Sequence, residues 1–148
     1  MSVTARDFFT LEEQDDIRQA IMNAELDTSG EIRVHIENVC SGDVLDRASY
    51  LFKNLGMTKT EQRNGVLIYL AVRNRKFAII GDKGINSVVP PDFWDNIKMK
   101  MLDYFRDGNF CEGLIYAITE SGKHLKQFFP YKKDDVNELP DDISFGKQ

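Results

Sequence analysis

The stretch RNGVLIYLAVRNRKFAIIGDKGI, residues 63–85, decides the fold. Val66, Leu67, Ile68, Tyr69 and Leu70 form an unbroken apolar run rich in strand formers, which reads as a strand buried on both faces. Phe77, Ala78, Ile79 and Ile80 read the same way. The polar Arg73-Asn74-Arg75 between the two runs turns the chain. The pair is therefore expected to be a hairpin in the middle of a sheet.

Upstream, Thr10 and Glu13 have capping-box spacing ahead of Leu11, Ile17, Ala20, Ile21 and Ala24, which fall on one helical face. Asp27-Thr28-Ser29-Gly30 stops that helix. Residues 31–37, EIRVHIE, then alternate strictly, the pattern of a strand with one buried and one wet face, placed near a sheet edge. A second helix is expected from Asp43 to Gly56, with Val44, Ala48, Leu51, Phe52 and Leu55 apolar. Strand, helix, strand in this order implies a right-handed crossover that makes 32–36 and 66–70 parallel.

Downstream, residues 81–89 read as a loop and Pro90-Pro91-Asp92 as a helix entry. Phe93, Ile97, Met101, Tyr104 and Phe105 stripe a third helix, and a fourth runs from about 110 to 129. Pro130 ends it. Residues 131–148 are polar and expected to be loosely ordered. The expectation is one α/β domain over residues 1–130. Its architecture is a three-layer α/β/α sandwich around a small mixed sheet, a parallel crossover plus an antiparallel hairpin.

A net charge of −5 argues against a nucleic-acid surface, which would need a basic stripe. The 148 residues suffice for a core without disulfide or metal staples, so Cys40 and Cys111 are expected as free thiols. The first residues lack an apolar signal segment, and no run approaches the roughly 20 apolar residues of a membrane span, so a cytoplasmic location is expected.

Topology supplies the functional lead. Parallel strands put Glu31 and Asn64 at one end of the sheet, and the hairpin returns Gly81-Asp82-Lys83-Gly84 to that end. Thr28 and Ser29 precede the first strand there, and the helix entry at Pro91 follows a short loop away. Carboxylates at such a rim could hold Ca²⁺ or Mg²⁺, and amides of the glycine-flanked loop could hold phosphate. Ordinary turn chemistry explains the same residues: Gly81 and Gly84 turning the chain, Asp82 within the turn.

Other candidates fail on spacing or setting. Cys40 and Arg47 are separated by six residues, one more than a cysteine phosphatase loop requires. P-loop, dinucleotide and His/Cys metal spacings are missing. His35 is expected as an exposed structural residue on the wet face of its strand, and His124 on the wet side of the last helix. Trp94 reads as packing. Arg73, Arg75 and Lys76 read as a solvated hairpin tip, open to an acidic partner.

Four pieces of the chain together resemble the TPM domain family, which includes a thylakoid lumen acid phosphatase and many bacterial envelope proteins. They are Thr28-Ser29-Gly30-Glu31-Ile32-Arg33-Val34, Asn64-Gly65-Val66-Leu67-Ile68, Arg75-Lys76-Phe77-Ala78-Ile79-Ile80-Gly81 with Gly84-Ile85, and Gly108-Asn109-Phe110-Cys111-Glu112-Gly113. The resemblance spans roughly residues 11–129 and implies an α/β/α sandwich. It also implies either a weak acid phosphatase with an acidic divalent-cation site, or an accessory module for membrane complexes, bacterial members often accompanying LemA-type membrane proteins. The chain departs from the pattern at Arg63, where many relatives carry aspartate, and in its longer glycine turn. Asp92 falls near an aspartate that follows that turn in relatives.

Two functions are therefore expected from different classes. In a metal-assisted phosphomonoester hydrolase, Glu31, Asp82 and Asp92 would hold Mg²⁺ or Ca²⁺, with Asn64 and Thr28 orienting the phosphate and Lys83 or Arg63 neutralising charge. In a non-catalytic binding module, the hairpin tip, the tail or the same rim would dock on a membrane-associated complex. With no nucleophile–base pair visible, the binding module is the leading expectation.

Overall fold

The structure, a computed structural model, describes residues 4–131 and 143–146. A one-turn helix α1 (Ala5–Phe8) leads into α2 (Leu11–Glu25). Thr10 caps α2 with the expected box: its Oγ1 accepts from Glu13 N at 3.0 Å, and Glu13 Oε1 accepts from Thr10 N at 3.0 Å. Ile17, Ile21 and Ala24 are buried, but Leu11, expected on the same face, is 77% exposed. The core ends one turn later, where Gln14 Nε2 donates to the carbonyls of Arg6 and Phe9.

Among the described residues the sheet has four strands, in the order β3-β2-β1-β4. β1 (Glu31–Glu37) and β2 (Gly65–Ala71) are parallel across the crossover helix α3 (Val44–Asn54), as the strand–helix–strand order requires. β2 and β3 (Lys76–Gly81) form the antiparallel hairpin. Every residue of β2 is buried. β3, expected in mid-sheet, is an edge strand whose Lys76, Phe77 and Ile80 are only partly covered.

The central place falls instead to β1. Ile143–Phe145, within the stretch expected to be loosely ordered, form β4 and pair parallel to β1, Val34 opposite Ile143 and His35 opposite Ser144. The rest of that expectation, 132–142 and 147–148, lies outside the described residues. Alternation along β1 holds, but both faces are covered. Ile32, Val34 and Ile36 join the larger core under α2, α5 (Phe93–Arg106) and α6 (Phe110–Phe128). His35 and Glu37 point to the α3 side and are buried all the same.

On that side a smaller core gathers Ala48, Leu51 and Phe52 of α3 with Leu67, Tyr69 and Ala78. Asp43 caps α3, its Oδ2 accepting from Asp46 N at 3.0 Å. The segment after β3, read as a loop, holds a one-turn helix α4 (Lys83–Asn86). Gly84 allows this turn to press on residues 62–63: a Cβ there would strike the carbonyls of Gln62 and Arg63, and Gly84 N donates to Arg63 O at 2.8 Å.

Candidate functional sites at the two ends of the sheet

Register brings Glu31, Asn64 and Asp82 to one rim. Glu31 pairs with Gly65, Val66 pairs with Gly81, and Asp82 N donates to Gly65 O at 2.9 Å. The Asp82 side chain is engaged in holding the chain. Arg63, at a left-handed φ of 52°, grips Asp82 with both ends of its fork: Nε to Oδ2 at 2.6 Å and Nη2 to Oδ1 at 2.9 Å. Asp82 Oδ1 also accepts from Lys83 N, capping α4. The carboxylate raises the Arg63 pKa further above its ordinary value.

Thr28 is buried, and its hydroxyl lies against the carbonyls of Leu125 and Phe129 while Oγ1 accepts from Gly30 N. It ties the entry of β1 to the end of α6. Lys83 and Asp92 are exposed, and Asp92 caps α5 by position without a side-chain bond. Among the described residues no three His, Cys, Asp or Glu side chains converge into a group that could hold a metal ion.

One group at this rim stays open. Asn64 is 1% exposed, its Nδ2 donates to Ser29 Oγ at 3.3 Å, and its Oδ1 has no hydrogen-bond partner. Gln62 Nε2 donates to the same Ser29 Oγ at 2.9 Å. An orphaned buried acceptor is rare enough to mark the spot.

The opposite end carries the denser polar cluster, at the carboxyl ends of the parallel strands, where open α/β sheets hold ligands. Arg47 of α3 meets Glu37 in a fork, Nε to Oε2 at 2.8 Å and Nη2 to Oε1 at 2.7 Å, and the Tyr69 hydroxyl donates to Oε2. Burial alone would raise the Glu37 pKa, but Arg47 and Tyr69 outweigh it and hold the carboxyl below its usual range. Burial pushes the Tyr69 phenol up, and the carboxylate beside it adds to that. His35, expected to be exposed, is 4% exposed because β4 covers it: Nδ1 lies 2.8 Å from Ser144 Oγ. Burial lowers its pKa, with Glu37 opposing in part.

A cleft of about 570 Å³ opens over this cluster, lined by His35, Glu37, Arg47, Tyr50, Asn54 and Phe145 among others. Arg47 also lies over the Tyr50 ring, 5.5 Å from its centroid. Gly146 lies against Glu37 so closely that a Cβ there would collide with it. Sequence reasoning missed Glu37, Arg47, Tyr69 and Ser144 as a group. The period-two pattern already put His35 and Glu37 on one face, yet nothing in the short ISF segment announces a strand beside them.

The remaining candidates have partners within the fold. His124, expected on a wet face, is half-buried edge-on to Phe93, with ring centroids 4.4 Å apart. Trp94 packs on Phe93, and its Nε1 donates to Asn86 Oδ1 at 2.7 Å. The hairpin tip is tied down, Lys76 Nζ donating to Gly42 O at 2.9 Å and Arg75 lying over the Phe110 ring. Cys40 and Cys111 are both free thiols. Among the described residues no helix is long and apolar enough to cross a membrane.

Comparison with known proteins places this geometry. The sequence pattern of the TPM domain matches residues 2–124. The structure is similar to the NMR structure of the BA42 protein from the psychrophilic bacterium Bizionia argentinensis, at 50% identity and a TM-score of 0.88, covering 99% of this chain and 100% of that one. It shares its fold with the N-terminal domain of a protein from P. gingivalis (18% identity, TM-score 0.69, 84% and 82% covered). It also shares the fold of the N-terminal domain of a Corynebacterium glutamicum protein (12% identity, TM-score 0.63, 91% and 79% covered). No curated protein matches.

Proposed function

The chain belongs to the TPM domain family, and from that premise we propose that it is a non-catalytic binding or accessory module for a membrane-associated complex, with LemA-type membrane proteins as the partner class suggested by family resemblance. One observation carries this reading: the acid best placed for metal-assisted hydrolysis, Asp82, is held on both oxygens by Arg63 and caps α4. A carboxylate so engaged stabilises the local fold and has little capacity left for a cation. Arg63, in turn, is not free to neutralise charge on a phosphate.

The alternative is a weak divalent-metal-dependent acid phosphatase at the same rim, favoured by the orphaned Asn64 Oδ1. There Asn64 with Glu31 would meet Mg²⁺ or Ca²⁺. The two readings separate in one experiment on the full chain. Phosphate release from an aryl phosphate is measured with Mg²⁺ or Ca²⁺ for wild type, Asp82→Asn and Asn64→Ala, beside retention on vesicles carrying a purified LemA-type protein. The module reading expects retention and equal trace hydrolysis in all three proteins. Metal-dependent turnover lost in either variant, with no retention, overturns it in favour of the hydrolase.

A further inference from the structure

Arg47 enters its ion pair with only part of its hydrogen-bonding capacity. A guanidinium carries five N–H donors in a rigid plane. Those on Nε and one on Nη2 donate to the Glu37 carboxylate at 2.8 and 2.7 Å. The outer edge, Nη1 together with the second N–H of Nη2, forms another parallel pair of donors, and among the described residues it meets no acceptor. The side chain is 40% exposed, so that edge is open to a ligand. It is also held in place. Glu37, which accepts from the Tyr69 hydroxyl as well, fixes the plane from one edge, and the Tyr50 ring lies 5.5 Å from Arg47 Cζ.

We propose that the cleft between α3 and β4 is the docking site for an extended segment of a protein partner, whose acidic side chain takes the open edge of Arg47 through a two-point carboxylate contact. This deepens the binding-module reading above and rests on it. Charge complementarity chooses the ligand. A carboxylate has two coplanar oxygens that match the parallel pair of donors. Its single charge also suits a guanidinium that already has Glu37 along its other edge, where a phosphate group near −2 would set too much negative charge against one cation. The walls of the cleft serve the residues on either side of the acid. Arg47, Tyr50 and Asn54 stand at helical spacing on one face of α3 and line it. Tyr50 is 59% exposed and Val39, just past the end of β1, is 46% exposed, which gives apolar cover to neighbouring side chains. The exposed Asn54 amide, without a hydrogen bond among the described residues, offers a donor and an acceptor to the segment's backbone. Tyrosine and arginine are enriched where interfaces gain most of their affinity, and an Arg47 already fixed by Glu37 loses little rotamer freedom on binding.

The test titrates the full chain with a blocked pentapeptide that holds one glutamate between leucines, read from residue-resolved shifts that include the Arg47 guanidinium nitrogens. The expected result is saturable movement at Arg47 Nη1, Tyr50 and Asn54, with the glutamine counterpart binding about 10-fold or more weaker. Arg47→Lys keeps a cation beside Glu37 but not the planar fork, and should weaken the glutamate peptide about 10-fold. Tyr50→Ala and Asn54→Ala, both at exposed positions, should each weaken it too, and they decide should Arg47→Lys fail to fold. Equal affinity for the glutamate and glutamine peptides, tighter binding of a phosphoserine counterpart, acetate binding as tightly as the peptide, or an unmoved Arg47 at saturating peptide overturns the proposal. The same variants on the vesicles separate this site from the reading it rests on. Glutamate-selective shifts in the cleft without vesicle retention support the site and overturn the module reading alone. Retention unchanged by Arg47→Lys and Tyr50→Ala overturns the cleft as the docking site and leaves the module reading in place.

Discussion

Single side chains show how burial sets chemistry here. Glu37 is 5% exposed, and Arg47 and Tyr69 hold its carboxyl below the usual range against the effect of burial. Its pKa is lower folded than unfolded, so its contribution to stability is complete above the ordinary 4.5 and lost as pH falls through the folded value. Glu37→Gln should therefore cost about 1–3 kcal/mol at neutral pH. Urea titrations should show the gap from wild type closing toward the acid limb; a gap that does not change with pH would contradict the ion pair. Cys111 illustrates the opposite sign. Burial, with nearby acids including Glu13, pushes its thiol up to about 11 from an ordinary 9.0. The neutral thiol is favoured in the fold, so this contribution is present below 9 and lost as pH rises toward 11. Alkylation of native protein at mildly basic pH should be slow at Cys111, whose thiol stays protonated, and slow at Cys40 because it is buried, and become fast at both on unfolding.

At the scale of elements, what could be read from sequence was what local chemistry dictates. The Thr10–Glu13 box announced α2, and Thr10→Ala should cost about 1 kcal/mol in thermal or urea unfolding. The β2–β3 hairpin followed from two apolar runs around Arg73-Asn74-Arg75. What stayed hidden was set by neighbours distant in sequence. α4 looked like a loop because its residues have no periodicity; it forms where Asp82 caps it and Gly84 meets the carbonyls of Gln62 and Arg63. Gly84→Ala should accordingly cost about 1–3 kcal/mol as an overpacked contact, while the same change at Gly42, with open space around it, should be nearly silent. The rim was legible as a place, through register, but the engagement of Asp82 with Arg63 was not. Arg63 looked like a departure from a family pattern and proved to be the partner of the acid.

For the whole molecule, one short strand changes the meaning of the sheet. Without β4, β1 would be an edge strand with a wet polar face, as its alternation suggests. With Ile143–Phe145 beside it, β1 becomes interior, and its polar row, His35 and Glu37 among it, lies beneath the cleft between α3 and β4. β4 has only three residues and sits in a polar, acidic stretch, so no periodicity could announce it. The direct measurement is amide hydrogen exchange along β1 in the full chain and in a chain ending at residue 142. The account predicts protection throughout Val34, His35 and Ile36 in the full chain, with the amides on the β4 side exchanging far faster after truncation. Equal protection in both chains would show that β4 does not enclose β1, and the site at its carboxyl end would go with it.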